Sequence, residues 1–287
     1  MNGNPDSLRR RLFEFFYSRV ITVLSGKGIS FLNLPKYFPA FAPSSWGSYG
    51  QKAKSTAECI NAVFPAIVSL PNPGIRSGSR LIPVGIDGNN VSKAAHDLRG
   101  FFEQYGSDKG LIHEYHHLYG SLFPDPKKLE KVLEIGIGSN NPAVLSTMGR
   151  GYKFGASLRA MRDFFPNAQI YGADIDPNIL FQEDRISTFQ VDQTNPRSFD
   201  ALSKAIGKGF DLMVDDGLHS PHANIWSLGF FMRHLKPGGF AVIEDLNSSA
   251  LDIWRIVQRC MPSDFSSEIV ATKSAFVFLV RRDKGNS

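Results

Sequence analysis

Two acidic pairs close apolar runs in this sequence: Asp215-Asp216 after 210–214, and Glu244-Asp245 after 240–243. The first pair continues as Gly217-Leu218-His219. Adjacent carboxylates repel, so a segment with only a packing role gains nothing from them. If the two runs are neighbouring strands, their ends lie about 4.8 Å apart and up to four carboxylates converge on one small volume. A hard divalent cation resolves that conflict, and an all-oxygen set suits Mg²⁺, with waters and a substrate completing an octahedron. His219, on the turn past Asp216, stands where an imidazole could take a proton from a hydroxyl that such an ion acidifies. The plainer alternatives are single acids capping helices at strand ends, and a surface histidine. Two acidic pairs exceed what capping requires.

A second constellation lies upstream. Glu134 precedes Gly136 and Gly138 in "LEIGIGS", and the glycines let backbone approach a ligand closely. A dinucleotide fingerprint needs a third glycine and an immediate helix, whereas Ser139-Asn140-Asn141-Pro142 follows here. Glu134 would sit badly beside a pyrophosphate and well beside a cation. S-adenosylmethionine, with an ammonium, a sulfonium and no phosphate, fits those terms better than NAD. Asp174 in "YGADID" could accept both ribose hydroxyls, Asp192-Gln193 stands where an adenine edge would lie, and Asp215 is assigned to the cofactor side.

Such residues need a scaffold that gathers strand ends. "KVLEIGIG", "AQIYGADID", "RISTFQVD", "FDLMVDDG" and "GFAVIEDL" read as strands, with helices in "ASLRAMRDFF", "PRSFDALSKAIG" and "HANIWSLGFFMRHL" between them. That alternation predicts a Rossmann-like α/β fold with a parallel sheet covered on both faces. After a helix in "ALDIWRIVQRC", "SEIVA" and "SAFVFLVRR" are separated by two residues, too few for a crossover, so they pair as an antiparallel hairpin. The expectation is a mainly parallel seven-stranded sheet ending in that hairpin. Upstream, a helix is predicted from near Lys93 to Gly106.

The chain has 287 residues, 42% hydrophobic and 21% charged, ordinary for a globular protein with a substantial core. Its two cysteines, Cys59 and Cys260, exclude a disulfide scaffold and a cysteine-rich zinc site, and suit a reducing, cytoplasmic setting. The first hundred residues hold 12 Lys and Arg against 5 Asp and Glu, the remainder 20 against 22. The basic excess is therefore N-terminal, consistent with an anionic partner or with a solubilising face. Leu8, Leu12, Phe16 and Val20 predict an amphipathic helix there, interrupted by charge and too short to span a bilayer. Residues 25–92 read as loop-rich.

Residues 131–281 resemble class I S-adenosylmethionine-dependent methyltransferases. More narrowly, residues 105–250 are similar to the metal-dependent macrolide-sugar O-methyltransferases of the mycinamicin type and their cephalosporin-hydroxylase-like relatives. The likeness rests on "SDKGLIHEYHHLY", "LEIGIG" with its long following loop, "FQVDQTN", "VDDGLHS" and "VIEDL". It implies Mg²⁺ on Asp216, Glu244 and Asp245, His219 as base, and a homo-oligomer. The acceptor it implies is a hydroxyl on a glycosylated or hydroxylated small molecule. Residues 1–104 are then an accessory, substrate-specificity region and 105–287 the methyltransferase domain. Asp108, Lys109, His113 and Tyr115 either close over cofactor or substrate or serve as ordinary helix residues. The alternatives are an NAD-dependent oxidoreductase, or a binding protein of the same fold without catalysis. A nucleic-acid methyltransferase would need a binding module, and the sequence shows none.

Overall fold

The computed structural model describes residues 92–284 apart from Arg150, together with a two-residue strand at Ile82–Pro83. The helix expected around residues 8–20 and almost all of the loop-rich stretch 25–92 lie outside the described residues. Among the described residues, no helix is long and apolar enough to cross a membrane.

Apolar runs buried on both faces form the centre of the sheet. Strands β2 (Lys131–Ile135), β3 (Gln169–Asp174), β5 (Ile186–Gln190), β6 (Phe210–Asp215) and β7 (Leu235–Leu246) run parallel, in the spatial order β7-β6-β2-β3-β5. Every residue of β6 is buried, as expected of a strand with helices on both sides. The chain reverses direction across the sheet at β2, so the carboxyl ends of β2 and β6 open the crevice where ligands bind in this architecture. Strands β8 (Phe265–Ala271) and β9 (Phe276–Arg282) form the expected hairpin, with β9 antiparallel to β7. All seven expected strands are present. Two short ones, β1 (Ile82–Pro83) beside β8 and β4 (Gln182–Glu183) beside β5, extend the sheet to nine strands among the described residues.

Side chains alternate between the two faces, and that alternation sorts the acids. On one face Val132, Leu212, Val214 and Val242 pack with α1 (Lys93–Tyr105), α3 (His116–Leu122) and α4 (Ala156–Phe164). On the other, Leu133, Ile135, Met213 and Ile243 pack with α5 (Ser198–Ile206), α6 (Pro221–His234) and α7 (Leu251–Arg259). A period of two therefore sends Glu134 and Glu244 to the first face and Asp215 to the second.

Helix α1 starts on Ser92, whose hydroxyl accepts from Ala95 N, and stops at Gly106 in a left-handed conformation. Its buried stripe of Ala94, Leu98 and Phe102 belongs to the same core as α4. The division drawn at 104/105 from the sequence falls inside this helix, and the chain separates into units at Asn72 and Pro73. An amphipathic helix shows that it covers something, without showing what.

Candidate active site

Backbone contact between β2 and β6 sets the frame. Ile135 pairs with Ala173 on one side and Asp215 on the other, and Asp215 pairs with Ile243, so four strands end at one level. Gly136 then turns at φ +88°, and a Cβ there would lie 2.1 Å from the carbonyl oxygen of Asp216. A Cβ on Gly138 would meet the Tyr152 ring at 2.3 Å. Both glycines line the cavity, and neighbouring protein atoms crowd a side chain at either.

A cavity of about 480 Å³ opens over these ends. Gly136, Gly138, Asp174, Asp192, Gln193 and Asp216 all line it. Asp174 accepts from Ile137 N at 2.9 Å and Asp176 N at 3.0 Å, and burial lifts its pKa. Asp192 accepts from Thr194 N and Oγ1, an Asx turn that shapes the rim. Gln193 is also a brace: its amide donates to Asp215 and Ser227, each at 2.8 Å, and its oxygen accepts from Leu218 N.

Two residues expected on the cofactor face the protein instead. Asp215 is fully buried on the α6 side and accepts from Gln193, Gly217 N and Asn224. It shapes the turn that carries Asp216 and His219. Glu134 is fully buried beneath the cavity floor, with Oε2 accepting from Ser157 at 2.5 Å and Oε1 3.3 Å from the Lys109 ammonium. Burial pushes its pKa up to about 7 against the pull of Lys109. Strand alternation accounts for both placements, and it was readable from the sequence.

The acids separate into an inner and an outer group that share Asp216. Lys109, from the short helix α2 (Asp108–Leu111), points into the sheet end with its side chain 3% exposed. Its ammonium donates to Asp216 Oδ2 at 2.6 Å and to Glu244 Oε2, while Tyr119 donates to Glu244 Oε1 at 2.6 Å. Burial alone would lower the Lys109 pKa, and Asp216, Glu244 and Glu134 together hold it well above the usual value. Burial raises Glu244 strongly, with Lys109 opposing. The crowding of carboxylates that the sequence assigned to a metal is thus compensated in part by a cation of the chain itself.

The outer group faces the cavity. His219 Nε2 lies 4.0 Å from Asp216 Oδ1 and 3.9 Å from Asp245 Oδ2. Asp216, His219 and Asp245 offer ligand atoms within 4.8 Å of one another, as do Glu134, Asp216 and Glu244. His219 and Asp245 both adopt left-handed backbone, at φ +53° and +54°. At Asp245 this interrupts the strand alternation and returns the side chain to the site. Tyr115 donates to Asp245 Oδ1, and His113 Nδ1 stands 3.3 Å from the same oxygen and 2.7 Å from Ser274 Oγ. The structure therefore brings together Asp216, Glu244, Asp245 and His219, and adds Lys109, Tyr115, Tyr119 and His113 from the segment the sequence left undecided.

Among relatives, the chain is 33% identical over 187 residues to the 8-demethyl-8-alpha-L-rhamnosyl tetracenomycin-C 2'-O-methyltransferase of Streptomyces olivaceus, which spans 64% of this chain and 46% of that protein. It is 35% identical over 156 residues to the mycinamicin VI 2''-O-methyltransferase of Micromonospora griseorubida, 52% of this chain and 36% of the relative. Its homologues are sugar O-methyltransferases. A solved MycE methyltransferase from the mycinamycin biosynthetic pathway, in complex with Mg and SAH, matches with a TM-score of 0.53 and 26% identity over 67% of this chain and 56% of its own. The chain spans less than half the length of the curated sugar O-methyltransferases named here. No family model matches it.

Proposed function

We propose that the chain transfers a methyl group from S-adenosylmethionine to a hydroxyl of a sugar, on a natural product or saccharide, with Mg²⁺ at the outer acidic group. One observation carries the reading: Asp216, His219 and Asp245 meet at the wall of the cavity whose floor is Gly136 and Gly138. The donor set fits a hard cation, since Asp216 Oδ1 and Asp245 Oδ2 face the cavity, while His219 Nε2, 4.0 and 3.9 Å from them, stands beside the pair to take a proton. Glu244, the third expected ligand, sits inward of this group, its two oxygens accepting from Lys109 and Tyr119. The homologous sugar O-methyltransferases, and the Mg and SAH named with MycE, support the same reading.

When bound, the cofactor supplies a methyl already activated as a sulfonium, and the metal supplies charge that acidifies an acceptor hydroxyl. The chain's own residues do the rest. Asp174 receives the ribose hydroxyls at the end of β3. Asp216 and Asp245 fix where the acceptor oxygen stands, and Tyr115 fixes Asp245. His219 takes the hydroxyl proton at Nε2 as the oxygen forms its bond to carbon and the sulfur–carbon bond breaks. Gln193, Asp215 and Asn224 hold the turn on which His219 stands.

Incubation of the full chain with labelled S-adenosylmethionine and a panel of glycosylated natural products tests the reading. Label should move to a sugar hydroxyl, stop in EDTA and return with Mg²⁺. Transfer that persists undiminished after complete chelation removes the metal from the mechanism.

A further inference from the structure

Among the described residues, the sheet end contains two triads able to hold a cation, and one is already filled. Lys109 is 2% exposed, and its ammonium lies among Glu134, Asp216 and Glu244. Its backbone is tied on both sides: Lys109 N donates to Ser107 Oγ, and Lys109 O accepts from Tyr115 N at 2.9 Å. The two fully buried acids direct one oxygen each to Lys109 and the other to a hydroxyl, Ser157 for Glu134 and Tyr119 for Glu244. Asp216 differs. Its Oδ2 accepts from Lys109, and its Oδ1 faces His219.

We propose that Lys109 is a permanent internal cation that fills the inner triad in place of a second divalent ion and, by holding Asp216 Oδ2, aims Asp216 Oδ1 at the outer triad. It touches neither the acceptor hydroxyl nor the transferred methyl, so it is a positioning residue. The outer half of this inference rests on the Mg²⁺ reading above, and the inner half does not. Removing one member of a buried charge set leaves the others uncompensated, which costs more than the set is worth as a whole. The inner acids therefore require no metal to fold, whereas a chain without the ammonium needs another cation in its place.

Mn²⁺ serves as the probe, because its free form is counted directly by electron paramagnetic resonance. The full chain should bind one Mn²⁺ and unfold cooperatively in EDTA. Lys109→Met should lower the melting temperature in EDTA by roughly 6–20 °C. It should also bind a second Mn²⁺ and gain more stability from Mn²⁺ than the parent chain does. Adding Glu134→Gln to Lys109→Met should restore part of the loss in EDTA, since one uncompensated acid is gone. A packing role for the lysine stem predicts no such rescue. If Lys109→Met is insoluble, a soluble double variant supports the inference. An insoluble double variant beside soluble Glu134→Gln overturns it. Two ions bound by the parent chain, or a Lys109→Met variant as stable in EDTA as the parent, also overturn it. A parent chain that binds no Mn²⁺ removes the outer half and the Mg²⁺ reading together, and leaves the chelator experiment to decide the inner half.

Discussion

His219 and Asp245 are non-glycine residues held in left-handed backbone within one site. That conformation costs on the order of 1–3 kcal/mol per residue, less for an aspartate, and persists where surroundings enforce it. Here Gln193 and Asp215 enforce it at the first turn and Tyr115 at the second. Replacing His219 with Ala should reduce turnover by about 10²–10⁴-fold. Binding of S-adenosylhomocysteine, followed by calorimetry, should stay near the parent value if His219 acts on the acceptor as proposed; a variant with full turnover would remove His219 as the base. That Asp216, His219 and Asp245 meet was legible because each sits at or just past the end of an apolar strand-length run. Lys109 was not, since its carboxylate partners Asp216 and Glu244 lie 107 and 135 residues away and no local pattern encodes such a meeting. Asp215 and Glu134 were misplaced for a simpler reason: both were read as strand-end acids without following the alternation that turns one toward α6 and the other beneath the floor.

At the scale of elements, the strands were readable because apolar runs of strand length alternate with helical spacing, and the final hairpin because two residues cannot make a crossover. Where a helix docks is a different matter. The stripe of α1 announces a buried face, and only the fold shows that it covers α4, so the compact unit that holds the site begins before the boundary drawn at 104/105. Phe102 is wholly buried in that contact. Phe102→Ala should cost about 3–5 kcal/mol, visible as a lower urea midpoint; a change within experimental scatter would mean that α1 is not part of the cooperative unit. Gly136→Ala should cause a larger loss, because the obstructing Asp216 carbonyl is backbone and cannot rotate away.

The whole molecule should also respond to acid through a buried residue outside the acidic cluster. His116 on α3 is 1% exposed, and its Nδ1 has no hydrogen-bond partner. Burial, with help from His117 and Arg99, lowers its pKa from 6.5 to about 4. A folded pKa below the unfolded one leaves its contribution intact above pH 6.5. Between there and about pH 4 the unfolded chain takes up a proton that the folded chain refuses, so stability falls by up to about 3 kcal/mol. Denaturation midpoints across that window should drop less steeply for His116→Gln than for the parent chain; parallel curves would assign the acid sensitivity elsewhere.

The contact of Gly136 with the Asp216 carbonyl bears on how the protein could be rebuilt. The turn that follows β2 and the turn that follows β6 are moulded against each other, so they do not behave as exchangeable cassettes. A chimera assembled from two relatives should fold when both turns come from the same parent.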